Sequence, residues 1–214
     1  MERNNKKFTI GYLDEEEQWK LTVRSSLKSD FNIVLLDLPE KTSEIWRIVE
    51  EENLDALIVD FRLFESGKVT YNGNDVVKDI RSHNLHLPMF VITSYEDNAI
   101  ELCEDVFIVR DKEMLTDTQK LSLFKKMLSR AINTYNHQIL EANETILELN
   151  RKLEKGISLS AEEEEKRFRA ERFLAELNIP DSFDSNMLTS AYSSQLQSLI
   201  DAANKIVDSI NSKR

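Results

Sequence analysis

The sequence predicts an α/β fold, a doubly wound five-stranded parallel sheet, followed by a long helix and an all-α C-terminal module. Three observations carry that expectation. Short β-branched or aromatic runs alternate with amphipathic stretches through the first half, the pattern of a parallel sheet covered by helices on both faces. No Gly or Pro interrupts the chain between Pro88 and Gly156. Only 4 Gly and 3 Pro occur in 214 residues, too few forced turns for a repeated hairpin architecture.

Five runs read as strands: Phe8 to Leu13, Asn32 to Leu36, Ala56 to Val59, Met89 to Ile92 and Val106 to Val109. Each is too short for a buried helix and rich in residues that suit a pleated surface. Between them Glu16 to Ser29, Thr42 to Glu52, Asn74 to Ser82 and the short Asp97 to Glu104 place apolar residues at helical spacing. The first domain therefore spans 1–130, with its fifth helix beginning near 117. A long helix continues through 131–156, and a helical module occupies 157–214.

In the long helix Ile132, Tyr135, Ile139, Ala142, Ile146, Leu149 and Leu153 are spaced alternately by three and four residues, a heptad seam that must be buried. Two partners suit it: the C-terminal helices of the same chain, or a second copy in a parallel coiled coil, which makes a homodimer or a helical partner protein an expectation. Ser160 and Glu163 have capping-box spacing at the start of the next helix. Leu188, Tyr192, Leu196, Leu199, Ala203, Ile206 and Ile210 mark a final amphipathic helix.

Charge narrows the function classes. The chain carries a net charge of −11, and residues 1–115 alone hold 24 acidic against 14 basic side chains. An acidic domain gains no counterion-release affinity for nucleic acid, so no nucleic-acid partner is expected. No apolar run spans a bilayer and no signal-peptide stretch follows MERNNKK, so no membrane partner is expected either. A lone cysteine, Cys103, forms no internal disulfide, which suits a reducing, cytoplasmic setting. Cys103, His83, His86 and His137 show no ligand spacing and read as structural residues.

The chemistry gathers at strand ends, where an open parallel sheet binds its ligands. Strand one ends in Asp14-Glu15, strand three in Asp60, strand four in Thr93-Ser94, and strand five in Arg110-Asp111-Lys112. Carboxylates converging from neighbouring strands repel unless a cation lies between them, and a hard, oxygen-seeking Mg²⁺ suits such a set. A hydroxyl and a cation opposite would suit phosphoryl oxygens on Asp60, since a carboxylate can serve as nucleophile.

These residues resemble the receiver domain of two-component response regulators over residues 7 to about 130. YLDEEE is similar to the family's acidic pair, ALIVDFRL to its phosphoacceptor strand, GNDVVKDIR to the opening of its third helix, and LPMFVITS to its fourth strand. The resemblance implies a flavodoxin-like receiver with Asp60 as phosphoacceptor. It also implies Mg²⁺ on Asp14, Glu15, Asp60 and the Arg62 backbone carbonyl, Thr93 as the hydroxyl that moves toward the phosphoryl group, and Phe107 as the aromatic that rotates with it. It implies a histidine kinase as phosphodonor and no turnover beyond slow hydrolysis of the chain's own aspartyl phosphate.

Three departures are visible. Arg110 aligns with the family's strand-five Lys, with Lys112 two residues later, and either could reach the phosphoryl oxygens. The FRLFESGKVTYNG loop is about five residues long in excess, and it sets Lys68 and Tyr71 near a partner or the phosphate. Only 13 residues separate Thr93 from Phe107, which shortens the fourth helix and directs output to the long helix. Two other functions stand beside a phospho-switch. One is a pseudo-receiver adaptor that is never phosphorylated and acts as a constitutive helical dimer. The other, an aspartyl-nucleophile phosphatase, lacks a second Asp two residues after the nucleophile, where Arg62 stands.

Overall fold

The structure is a computed structural model that describes residues 7–94, 101 and 105–177. The helix expected over Asp97 to Glu104, Cys103, the Phe107 side chain and the amphipathic run from Leu188 to Ile210 lie outside the described residues.

Five parallel strands, β1 (Thr9–Leu13), β2 (Asn32–Leu36), β3 (Ala56–Asp60), β4 (Met89–Thr93) and β5 (Val109–Asp111), form one sheet in the order β2-β1-β3-β4-β5. This is the doubly wound order whose switch point falls between β1 and β3. β3 and β4 are buried at every position, as central parallel strands covered on both faces must be. Helices α1 (Glu17–Leu27), α2 (Ser43–Glu51) and α3 (Gly73–His83) follow the first three strands.

Alternation divides the side chains between two cores. Leu13, Leu57, Val59, Met89 and Val91 point toward α2 and α3, beside Ile45, Val49, Val76 and Ile80. Ile10, Tyr12, Ile58, Phe90 and Ile92 point to the other face, where Val23 and Leu27 of α1 meet Phe124, Leu128 and Ile132 of the long helix α4 (Thr118–Glu154). Phe90 and Phe124 pack edge-to-face with ring centres 5.4 Å apart.

The fifth strand is displaced from its expected place. Val106–Ile108 forms a 3₁₀ turn, and pairing with β4 begins at Val109, opposite Val91. The run from Val106 to Ile108 forms the connection into the sheet, with Ile108 buried and Val106 exposed, while the edge strand takes the next three residues, including the charged Arg110 and Asp111.

Helix α4 runs unbroken for 37 residues. Asp117 caps it by accepting from the amides of Gln119 and Lys120, both at 2.8 Å. Gly156, at φ 72°, ends it, its amide donating to Leu153 and that of Ile157 to Lys152; this is the left-handed exit that glycine adopts without steric cost. Helix α5 (Ala161–Glu176) then starts with the expected Ser160–Glu163 capping box and folds back along α4.

Four residues of the heptad seam have partners within the chain. Ile132 belongs to the sheet-side core and the Tyr135 hydroxyl accepts from the Asn84 side-chain amide at 2.9 Å. Ala142 and Ile146 pack on Ala170, with Phe173 and Leu174 alongside. The end of α5 docks on the α3–β4 connection: Leu85 N–H donates to the Glu176 carbonyl at 3.1 Å, His86 Nε2 lies 2.8 Å from Glu176 Oε2, and the Phe173 ring lies 4.7 Å from the His86 ring. Of the two partners the seam suits, α5 of the same chain takes Ala142 and Ile146.

Ile146→Asp places a carboxylate in this small cluster, where a buried unpaired charge is costly. The expected outcome is loss of hydrogen-exchange protection across α5 with the protection of β1, β3 and β4 retained; equal loss in both regions would show that hairpin and sheet open as one unit.

Candidate functional site

The switch point brings three carboxylates together. β1 and β3 are adjacent, so Asp14, one residue beyond β1, and Asp60, the last of β3, meet in one crevice with Glu15 between them and α1. One ligating oxygen from each of Asp14, Glu15 and Asp60 lies within 4.8 Å of the others. Gly73, at the start of α3, permits the close approach beside them, because a Cβ there would lie 2.4 Å from the Asp60 carbonyl oxygen.

Lys112 answers the charge. Its Nζ lies 2.7 Å from Asp60 Oδ1 and 2.9 Å from Asp14 Oδ2, with Glu16 Oε1 further out at 3.8 Å. Asp14, Asp60 and Lys112 are all buried. Asp14 Oδ1 accepts from the Glu16 amide at 2.8 Å, and its Oδ2 also accepts from the Tyr12 hydroxyl. Asp60 Oδ2 accepts from the Arg62 amide at 2.7 Å. Burial pushes the Asp60 carboxyl above its ordinary range against the pull of Lys112. Burial likewise pulls the Lys112 ammonium down, but Asp60 and Asp14 outweigh it and leave it raised.

Glu15 differs from its neighbours. Its Oε2 is buried without a hydrogen-bond partner among the described residues. Burial, with Asp60 and Asp14 adding repulsion, pushes its carboxyl up to about 7. The residues fit a hard divalent cation: the donors are all oxygens, and among the described residues one ammonium, that of Lys112, is paired into the cluster while one buried acid oxygen has no hydrogen-bond partner.

The other expected site residues are placed as follows. Thr93, buried, ends β4 opposite Asp111 across the β4–β5 pair. The Arg62 carbonyl accepts from the Glu65 amide at 3.1 Å in the turn Leu63–Ser66. Arg110 turns from the crevice, donating to the Val109 carbonyl with its guanidinium 5.8 Å from the Phe90 ring centre. The structure thus brings Lys112, and not Arg110, to the carboxylates. Tyr71 is buried and donates to the Pro39 carbonyl at 2.8 Å, so its hydroxyl faces neither partner nor phosphate.

Sequence reasoning missed Tyr12 and Trp19. Tyr12 stands two residues before Asp14, on the same face by strand alternation. Trp19, one turn into α1, sets its ring 5.0 Å from Lys112 Nζ. It also passed over His86, whose partner Glu176 is 90 residues away.

The strand order defines a doubly wound, flavodoxin-like fold with the carboxylate cluster at its switch point. No family model matches the chain and no curated protein matches it. Among solved structures, an adenylate cyclase from Rhodopirellula baltica is similar at 17% identity over 66% of this chain and 98% of that one, with a TM-score of 0.48. A response regulator from Thermotoga maritima is similar at 19% identity over 59% and 98% of the two chains, TM-score 0.41. A signal receiver domain from Vibrio parahaemolyticus is similar at 14% identity over 63% and 96%, TM-score 0.42. These values assign no activity; the fold class rests on the chain's own strand order and register. No described helix is long and apolar enough to cross a membrane.

Lys112→Met leaves Asp14 and Asp60 without their buried counter-charge and is expected to cost about 3–5 kcal/mol of stability in metal-free buffer, read by urea denaturation at neutral pH. Millimolar Mg²⁺ should restore part of that loss. Glu15 gives a pH signature: a carboxyl raised from 4.5 to about 7 contributes stability present below about pH 4.5 and lost as the pH rises through about 7. Glu15→Gln should therefore flatten the decline in stability of the metal-free chain over that window.

Proposed function

We propose that this chain is a phosphorylation-dependent signalling regulator of the response-regulator type, accepting a phosphoryl group on Asp60 from a histidine kinase. The observation that carries this reading is the clustering of Asp14, Glu15 and Asp60 at the switch point, with the buried Lys112 paired to Asp14 and Asp60. An Asp60 carboxylate oxygen attacks the phosphorus of a phosphohistidine; the O–P bond forms, the P–N bond breaks, and its electron pair returns to the imidazole. Lys112 leaves Asp60 Oδ1 as that oxygen reacts and pairs with the phosphoryl oxygens, with Thr93 as the hydroxyl on the other flank. Glu15, Asp14 and Asp60 would hold Mg²⁺, with the Arg62 carbonyl completing the protein's share. When bound, the cation neutralises charge on the transferring group.

Output passes through α4 and α5 as protein contacts, in the cytoplasm, with homodimerisation as one route and without DNA binding. The long helix supports this reading, because it shares the sheet-side core at Phe124 and Ile132 and then leaves the sheet to pair with α5. A second reading, an adaptor that is never phosphorylated, is favoured by one observation: both Asp60 oxygens already accept hydrogen bonds, from Lys112 and from the Arg62 amide.

Intact mass after incubation with Mg²⁺ and acetyl phosphate, beside Asp60→Asn and with light scattering on the same samples, separates the two. The expected outcome is one phosphoryl adduct in the wild type and none in the variant, with a change in mass distribution. No adduct from acetyl phosphate or from any phosphorylated kinase would favour the adaptor.

A further inference from the structure

The Tyr12 hydroxyl is a polar group placed where an apolar side chain would fill the same space. Tyr12 is wholly buried among Ile10, Val23, Ile58 and Phe124, on a strand paired on both sides. A buried phenol requires a partner, and alternation aims this one along the sheet face at the residue two places on. That residue is Asp14, whose Oδ2 accepts the Tyr12 O–H. Asp14 therefore accepts three hydrogen bonds, from Tyr12, Lys112 and the Glu16 amide, whereas Glu15 keeps an oxygen unpartnered among the described residues.

We propose that Tyr12 is a positioning residue that stabilises Asp14 in the metal-free site and so lowers the affinity of the three-carboxylate cluster for a divalent cation. The proposal rests on the reading of this cluster as a Mg²⁺ site. Its basis is linkage: a ligand shifts an equilibrium only through unequal interaction with the two states. The bond from Tyr12 is strongest when Asp14 bears its full charge, and a cation sharing that charge weakens it. Whatever favours the metal-free form opposes the cation. Orientation of Asp14 does not depend on Tyr12 alone, since the Glu16 amide holds the other oxygen.

Tyr12→Phe removes the hydroxyl and keeps the ring. The probe is Mg²⁺ itself, titrated into the full chain by calorimetry and by tryptophan fluorescence, which senses the surroundings of Trp19 beside Lys112. The expected result is Mg²⁺ binding about three- to tenfold tighter than in the wild type, the share of a charged hydrogen bond lost on neutralisation. In metal-free buffer Tyr12→Phe should lower the melting temperature of the wild type, and lower that of Asp14→Asn much less. Unchanged or weaker Mg²⁺ binding in Tyr12→Phe, or an equal melting shift in both backgrounds, overturns the proposal while leaving the metal site standing. A wild type that binds no Mg²⁺ overturns both together.

Discussion

The rest of the site depends on one buried ammonium. Lys112 lies within 3 Å of carboxylates from two neighbouring strands, and without it Asp14 and Asp60 would lose their paired ammonium. Removing charge from water costs several kcal/mol per ion in an interior. Such a cluster persists in a fold only where the surrounding sheet fixes its geometry and the counter-charge is close. The sheet supplies both, because β1 and β3 run side by side in register and β5 delivers Lys112 one residue past its end. The fit of the crevice to a cation and the pressure on Glu15 to hold a proton both follow from an acid excess that Lys112 only partly offsets.

Much of this was legible in the sequence. The alternation of apolar runs with helical stretches gave the strand count and the doubly wound order, and the acids at the ends of the first and third strands gave the site. Ser160 and Glu163 announced the start of α5 through local capping chemistry. What could not be read was whatever depended on register at an edge or on a distant partner. Val106 to Val109 has strand composition, yet the strand begins at Val109, because pairing with β4 decides which residues join the sheet. That shift of a few residues is also why Lys112 reaches the carboxylates and Arg110 does not.

The seam along α4 shows the same limit from another side. Its periodicity states that the stripe is covered, but the identity of the cover is tertiary information. The near half of the stripe meets the sheet-side core at Ile132, and the far half meets Ala170 on α5. His86 looked inert because its partner, Glu176, is 90 residues away. Tyr12 lay in plain view two positions before Asp14, and the one signal available was a hydroxyl on a strand otherwise free of buried polar side chains before its end.

The return of α5 to the α3–β4 connection has a consequence for the order in which the chain assembles. The bond between Leu85 and Glu176 closes a loop through β4, β5 and all of α4, and contacts of such sequence separation cannot reward the chain until what lies between them is formed. On a ribosome the sheet and the near half of α4 emerge before the residues that complete the hairpin. The sheet and the near half of α4 can therefore form the carboxylate crevice before α5 is available to dock on the α3–β4 connection.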